Sequence, residues 1–338
     1  MKKYILSIAI LIVLLLGSSI FLPYLFKDKI IETIKSEANK TLKAELDFDN
    51  NIHINIFKSF PNLNLSFKDL SLTYPDSTFQ KDTFFAADKL EVSFDLMKFY
   101  KEQKYQFKSI AIDRPILHLE LLNDSTVNWD IAIATEEDTS EESTALNFEL
   151  DNIQIENGAL TYTDVAADMA IHLTGLNHTA SGNFNTDAFT LTSETSIAEL
   201  KVVTDGIAYL NNWSITQEGD IAIDMTNSKY SFPKNSVFIN GLPIDLDGYM
   251  QLLNEDIIFD IAANSSAPDL NKFLTLIPAI YTSDFASMQT KGSGKLNVTF
   301  KGTYNDTSFP AYDMKVKVDD GYFKYPDLAL PAEDIHLD

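Results

Sequence analysis

The five histidines are the residues best suited to metal binding or acid–base chemistry. His172 and His178 lie six residues apart, which is not the spacing that places two ligands on one helix face, and no third ligand has a suggestive spacing. His118 and His336 lie in alternating segments, where a histidine is an ordinary strand residue. The histidine spacing therefore predicts no metal site.

A second candidate for metal chemistry is a short acidic run. Asp47, Asp49 and Asn51 have the first spacings of an EF-hand calcium loop. That loop requires a glycine where the chain has Ile52 and a bidentate glutamate where it has Lys58. The run therefore does not predict a calcium site.

The sequence also lacks the signatures of nucleophilic and phosphate-binding sites. It contains no cysteine, which excludes thiolate chemistry and disulfides. The GSG at 292–294 lacks the lysine and the following helix of a phosphate loop, and no Gly-x-Ser-x-Gly elbow occurs. With 49 acidic residues, neighbouring carboxylates are expected by chance. We therefore expect a protein that is not an enzyme and uses no cofactor.

The charge of the chain divides it into two parts. The 338 residues include 26 Lys and Arg and 49 Asp and Glu, a net charge of −23. Residues 1–46 carry seven lysines and four acids, or +3, which leaves −26 for the rest. Such an acidic surface repels phosphate and excludes nucleic acid as the main partner. A hydrophobic content of 45% predicts a folded chain rather than a disordered one.

The first 26 residues predict a membrane anchor. No charge occurs between Tyr4 and Phe26, and a helix over this stretch would rise roughly 34 Å, enough to cross a ~30 Å hydrocarbon core. The alternative is a cleaved signal peptide, but the apolar run is longer than the ~7–15 residues typical of one. The expected anchor residues are Ile5, Ile8, Leu11, Leu15, Phe21 and Leu22. Lys2 and Lys3 favour a cytoplasmic N-terminus, which makes this a single-pass protein with its body across the membrane.

An amphipathic helix is predicted directly after the anchor, over 27–46. Its apolar residues recur every four positions, at Ile30, Ile34, Ala38, Leu42 and Leu46. From residue 47 onward the pattern changes to short alternating segments that end at Asn, Asp, Gly or Pro, which is typical of strands. One further helix is predicted near 268–285, where Asp269 can cap the start and Pro278 ends or kinks it.

These patterns predict a mostly β fold divided by an acidic loop. The loop at 134–145 separates an N-terminal β segment at 47–133 from a continuing β segment at 146–338. A weak repeat relates Gly158, Tyr162 and Asp164 to Gly321, Tyr325 and Asp327, and the dipeptides 157–158 and 320–321 are predicted as tight turns. Repeated β units favour an elongated sheet over a compact globule. We also expect the native chain to continue past Asp338, since it ends in a strand-like IHL.

Several segments resemble the AsmA-like proteins. These are the anchor and short helix, the Pro61-containing start of the strand in FKSFPNLNLSFKDLSL, and the segment from Ala86 to Ile131 with its Asn128-Trp129-Asp130 close. IENGALTYTD at 155–164, LIPAI, KGSGKLNVTFKG and VDDGYFKYPDLALPAEDIHL are also similar. The sequence departs from the family pattern at AELDFDNN, where relatives often have a glycine after the helix.

The resemblance implies a Gram-negative inner-membrane protein with a periplasmic body. That body would be an elongated, curved (U-shaped) antiparallel β-sheet with a lipid-lined groove, similar to the chorein-type bridge-like lipid transporters. The implied role is to move phospholipid between the inner and outer membranes or to support outer-membrane assembly, with outer-membrane or envelope proteins as possible partners. The resemblance implies no catalytic residue and no cofactor.

Alternating apolar residues are the candidates for the groove. We predict that Ile110, Ile112, Ile153, Ile155, Val316 and Val318 face it, although such residues also line an ordinary sandwich core. The alternative function is a membrane-tethered β scaffold or adhesion module that binds protein or glycan on the exterior of the sheet. That alternative predicts a closed core and an exposed aromatic patch, for which Trp129 and Trp213 are the first candidates.

Overall fold

A computed structural model describes most of the chain after its first 26 residues. The described residues are 27–55, 62–75, 78–95, 107–133, 151–183, 187–233, 235–254, 256–267, 269–277, 288–305, 307–325 and 329–338. The predicted anchor and the predicted acidic loop at 134–145 therefore lie outside them. Within the part of the chain that is described, no helix has both the length and the apolar composition needed to cross a membrane.

The fold is mostly β, as the alternation predicts. Two helices are described, α1 (Lys27–Thr41) and α2 (Asn271–Leu274). The strands are β1 (Glu45–Asp47), β2 (His53–Asn55), β3 (Asn62–Thr73), β4 (Thr83–Asp95), β5 (Phe107–Asp113), β6 (Ile116–Leu121), β7 (Asn152–Asp164), β8 (Met169–Gly182), β9 (Ala188–Thr204), β10 (Ile207–Asp224), β11 (Lys229–Ser231), β12 (Asn235–Ile239), β13 (Leu242–Leu253), β14 (Asp256–Ala267), β15 (Gln289–Tyr304), β16 (Ala311–Lys324) and β17 (Ala332–Leu337).

All 17 strands form one sheet in which chain neighbours are paired. At three positions in the sheet, two short collinear strands lie end to end in place of one long strand. These pairs are β1 and β2, which both pair with β3; β5 and β6, which lie between β4 and β7; and β11 and β12, which lie between β10 and β13. The pairing is antiparallel except that β7 is parallel to β5 and β6. The prediction of an antiparallel sheet was therefore wrong at this one position, where β7 runs in the same direction as β5 and β6.

The predicted helix at 27–46 is shorter than its periodicity indicates. It ends at Thr41, and Leu46 belongs to β1, where it pairs with Leu72. The helix packs on the first strands through Ile31 and Ile34. The Lys35 ammonium holds it there, since it donates to the Asp47 carboxylate at 2.6 Å and to the Phe48 carbonyl at 2.7 Å.

The hydrophobic core is concentrated at this N-terminal end. One cluster comprises Ile31, Phe48, Ile52, Phe67 and Leu70, and a second comprises Ala44, Tyr74, Phe79 and Phe84. Residues 122–133 add to the second cluster through Leu122 and Ile131. We call α1, β1–β6 and residues 122–133 the cap. Neither cluster contains a residue from β7–β17.

The two dipeptides predicted as tight turns are bulges inside long strands. Asn157–Gly158 lies within β7 and Asp320–Gly321 within β16, and the register shifts at both. The positive φ is adopted by Asn157 (49°) and Asp320 (54°) rather than by the glycines. Arg114, which precedes Pro115 between β5 and β6, has the same conformation (φ 47°). A bulge adds one residue without reversing the chain, so the turn prediction was wrong although the local similarity persists.

The helix predicted near 268–285 is present as α2, a single turn. Asp269 accepts a hydrogen bond from the backbone N–H of Asn271 at 3.0 Å, but it precedes the N-cap residue, which is Leu270, so the prediction that Asp269 caps this helix was wrong. Residues 278–287, which include Pro278, lie outside the described residues. The ring of Phe273 packs over Gly294 of β15, where a Cβ would come within 2.6 Å of it.

Candidate functional site

The strand register separates the sheet into an apolar face and a polar face. On the apolar face, directly paired residues run Ile54, Leu65, Val92, Ile110, Ile153 and Ala180, and, further along, Leu246, Ala263, Val298 and Met314. On the polar face, one paired row runs Gln154, Thr179, Glu194, Glu218, Ser236, Asp245, Asn264, Asn297 and Lys315. Because side chains alternate along each strand, this segregation extends along the sheet.

The six predicted groove residues all lie on the apolar face. Ile110 pairs directly with Ile153 and Ile112 with Ile155, so these four form one patch where β5 meets β7. Val316 and Val318 lie on the same face of β16, near the other end of the sheet. Val316 is 41% exposed, whereas Val318 is 6% exposed. The structure thus brings four of the candidates together and leaves two at a distance, and their contact with lipid stays a prediction.

The apolar face is covered over the cap and open beyond it. In β3 and β4 the residues Phe67, Leu70 and Leu90 belong to or pack against the core cluster that includes α1. In β7–β16 the large apolar residues of the same face, such as Leu173, Leu246 and Leu296, are only half-buried. Burial nevertheless alternates over residues 188–195 of β9, where the polar-face residues Thr192 and Glu194 are exposed. The alternation therefore marks a face that neighbouring side chains shield, but that no second layer of described residues seals.

The segment that contains α2 covers one corner of this face. The backbone N–H of Leu270 donates to the carbonyl of Gly292 at 3.0 Å, and the Lys272 ammonium donates to the carbonyl of Gly241 at 2.9 Å. Beneath it lie the fully buried residues Leu242 and Ala267 at the adjoining strand ends. The corner is thus closed locally, while Leu296 and its neighbours remain half-buried.

A hydrogen-bonded row of polar side chains crosses the apolar face. The Asn235 amide donates to the Asp220 carbonyl at 2.7 Å, and the Gln217 amide donates to the Asn235 oxygen at 2.9 Å. The Thr195 hydroxyl donates to the Gln217 oxygen at 3.1 Å, and Nδ1 of His178 lies 2.9 Å from the Thr195 hydroxyl. We call His178, Thr195, Gln217 and Asn235 the polar relay. The sequence reasoning missed it because these residues are far apart in the chain and look like ordinary strand positions.

Burial also sets the protonation of His178. Its removal from water lowers the pKa of the imidazole below the ordinary value of 6.5, since burial disfavours the charged form. The pKa of His118, on the opposite face of the sheet, is lowered by burial and by the nearby Lys81 ammonium. Both rings are therefore neutral at neutral pH. Among the described residues, no group of three or more histidines and carboxylates could hold a metal ion.

The polar face contains a concave site of about 440 Å³ near the bulges of β7 and β8. Its carboxylates come from Asp113, Glu156 and Glu194. Arg114, the cation at its wall, is paired with Asp88. The cavity is thus acidic and polar, and Ile155, His178 and Ser196 also contribute to its lining.

The scaffold alternative requires an exposed aromatic patch, and its two candidates, Trp129 and Trp213, do not form one together. Trp129 belongs to the cap, is 40% exposed and lies 6.1 Å from the ring of Tyr162. Trp213 is half-buried in β10, opposite Leu200. The six predicted anchor residues lie outside the described residues, so the structure places none of them.

A family model for the AsmA family matches residues 1–302. The chain belongs to the AsmA family. The AsmA family is associated with the cell envelope, and membership is consistent with a role in the envelope or in lipid transport. No curated protein and no solved structure matches the chain. The AsmA match extends over the cap and the following strands as far as β15.

Proposed function

We propose that this AsmA-family protein binds phospholipid along the open apolar face and moves it between the inner and outer membranes of a Gram-negative envelope. The observation that carries this proposal is the set of paired apolar residues from Ile110 to Ala180 and from Leu246 to Met314. Among the described residues after the cap, only the segment that contains α2 covers part of this face. The apolar segment at residues 4–26 would anchor one end in the inner membrane, with the N-terminus in the cytoplasm. Outer-membrane or other envelope proteins would receive the lipid at the far end.

The energetics favour acyl chains as the occupants of this face. Half-buried leucine, isoleucine and valine side chains leave apolar area in contact with water, and covering it releases ~25 cal/mol per Å². Each acyl methylene that moves from water to the face adds ~0.8 kcal/mol. An acyl chain also needs no fixed hydrogen-bond partners, so it can slide along a row of apolar side chains.

Curvature of the sheet around this face is part of the proposal. The bulges at Asn157, Gly175 and Asn212 interrupt β7, β8 and β10, and each bulge bends its strand and increases the local twist. Ala180 and Ser193 are only 2% and 3% exposed although neither belongs to a core cluster. Small residues buried on an unsealed face are expected where the two halves of a curved sheet lean toward each other.

The charge distribution supports an orientation away from the bilayer surface. The chain after residue 46 carries −26, and anionic headgroups repel it, whereas the first 46 residues carry +3. The body should therefore extend from the membrane that holds the N-terminal segment. The cap, which follows that segment directly, would then lie at the membrane-proximal end.

The proposal is tested by the lipid content of the purified full chain. Detergent-solubilised protein should retain phospholipid by native mass spectrometry, and the double variant Ile155→Arg/Leu246→Arg should lose most of it. The matched control Gln154→Arg/Asp245→Arg places two arginines on the polar face of the same strands and should retain lipid. Equal retention in both variants, or no lipid in the wild type, would overturn the proposal.

A second outcome would favour the scaffold reading. If lipid is absent and the polar-face variant alone loses an envelope protein from co-purification, the sheet acts as a tethered binding module. The acidic cavity beside Asp113 and Glu156 is the feature on that face that such a partner could contact.

A further inference from the structure

The polar relay fixes the direction of every hydrogen bond along it. The Asp220 carbonyl can only accept, so the Asn235 amide nitrogen faces it and the Asn235 oxygen faces Gln217. The Gln217 amide nitrogen donates to that oxygen, which leaves the Gln217 oxygen to accept from the Thr195 hydroxyl. The Gln217 oxygen also accepts from the Ser193 hydroxyl at 3.2 Å. With the single hydroxyl hydrogen of Thr195 donated to the Gln217 oxygen, the Thr195 oxygen accepts from Nδ1 of His178.

This direction determines the tautomer of His178. A neutral imidazole that carries its hydrogen on Nδ1 has a lone pair on Nε2. Among the described residues, Nε2 of His178 has no hydrogen-bond partner, and it is not fully buried. The ring therefore presents an oriented hydrogen-bond acceptor to the open apolar face.

The surroundings of this acceptor are apolar. Ile155 of β7 pairs directly with His178 of β8, and Leu176 and Ala180 flank His178 on the same face of β8. Leu191 and Ile221 continue the same face on one side, and Leu173 and Leu200 on the other. Glu156 and Glu194, which line the polar-face cavity together with His178, belong to the opposite face. A donor that reaches Nε2 from the apolar face must therefore be attached to an otherwise hydrophobic molecule.

We propose that His178 is a selectivity site for lipids that carry a hydroxyl group within or next to their hydrocarbon part. The hydroxyl would donate to Nε2, while Thr195, Gln217 and Asn235 hold the ring in the accepting tautomer. This inference rests on the proposed function, because it assumes that lipid occupies the apolar face. It adds a chemical preference to a face that would otherwise bind any acyl chain.

The test uses two probes that differ by one hydroxyl, 12-hydroxystearate and stearate. Binding of each to the detergent-solubilised full chain is measured by competition at pH 7.5. The wild type should bind the hydroxylated probe about tenfold more tightly, the factor expected for one hydrogen bond in an apolar site. His178→Phe should reduce the ratio to about one while stearate binding is unchanged or stronger.

Two further variants make the result specific. Thr195→Val removes the hydroxyl that holds the tautomer and should reduce the preference severalfold without removing the imidazole. The control His118→Phe replaces a histidine that contacts Thr161 in the same way but on the opposite face, and should leave the ratio unchanged. Equal binding of the two probes by the wild type, or an unchanged ratio in His178→Phe, would overturn this inference alone. Failure of both probes to bind would overturn the proposed function with it.

Discussion

The cap and the open sheet are built from the same alternating strands but bury their apolar faces differently. In the cap, α1 and residues 122–133 complete two hydrophobic clusters. In β7–β16 the equivalent side chains are half-buried, and the sheet extends by adding strands rather than layers. The difference shows that alternation determines which face is apolar, whereas a covering element determines whether that face becomes a core or stays open.

The largest effect expected from this comparison concerns leucine truncation. Leu70→Ala in the cap removes a side chain that is 8% exposed and should lower the free energy of unfolding by about 2–5 kcal/mol. Leu296→Ala removes a half-buried leucine of the open sheet and should cost only about 1 kcal/mol, because little cavity forms. Urea unfolding measured with delipidated protein checks both values. Equal costs would show that the face of β15 is sealed.

The two buried asparagines give a smaller contrast. Asn128 of the cap is fully buried, and it accepts from the Glu120 N–H at 2.9 Å and donates to the His118 carbonyl at 2.7 Å. Asn128→Ala should cost about 2–3 kcal/mol, because both backbone groups lose their partner away from water. Asn235 is also fully buried, but its neighbours Gln217 and Leu246 are only half-buried, so water can enter from the open face once the side chain is removed. Asn235→Ala should therefore cost only about 1 kcal/mol.

Unfolding midpoints of the two asparagine variants, compared with the wild type, provide the measurement. Asn235→Asp serves as a control, since it keeps the acceptor for Gln217 but loses the donor to Asp220. If Asn235→Ala costs as much as Asn128→Ala, water does not reach the polar relay, and the contrast between the two regions fails there.

The smallest expected effect is the pH dependence of the two histidines. Burial lowers the pKa of His178 and, together with Lys81, that of His118, so the folded chain binds these protons more weakly than the unfolded chain. Their contribution to stability is complete above about pH 6.5 and is lost as the pH falls through the lowered folded pKa. His178→Gln should flatten this slope at any salt concentration, whereas the effect of His118→Gln should shrink in high salt because salt screens Lys81.

Urea midpoints between about pH 5.5 and 7.5, at low and high salt, measure these slopes. A wild-type midpoint that rises relative to those of both variants as the pH falls would contradict the direction of both pKa shifts. Identical salt dependence in the two variants would show that Lys81 does not influence His118.

Much of the fold follows from local patterns in the sequence. Alternation in segments such as Ile110–Ile112 and Ile153–Ile155 predicts strands and the face to which each side chain belongs, because the period of a strand is fixed. The end of α1 at Thr41 was not predicted, since the apolar period continues to Leu46 and only pairing with Leu72 makes that residue a strand. Asn157–Gly158 resembles a turn dipeptide, but its use as a bulge depends on the neighbouring strand.

The site was predictable only in part for a related reason. Composition and alternation indicate an apolar face, but whether α1 or another element covers it is a tertiary property. The polar relay joins residues from four strands, His178, Thr195, Gln217 and Asn235, and no local pattern connects them. The parallel pairing of β7 with β5 and β6 likewise depends on the path of the chain between them.

Photo-crosslinking at neighbouring positions in intact cells shows directly which face of the sheet contacts phospholipid. A crosslinking amino acid at Ile112, Ile155 or Leu246 samples the apolar face, and one at Ala111, Gln154 or Asp245 samples the polar face of the same strands. If phospholipid occupies the open apolar face, covalent phospholipid adducts form at the first three positions and none form at the second three. Adducts confined to the polar face, or absent from all six positions in correctly folded protein, would contradict it.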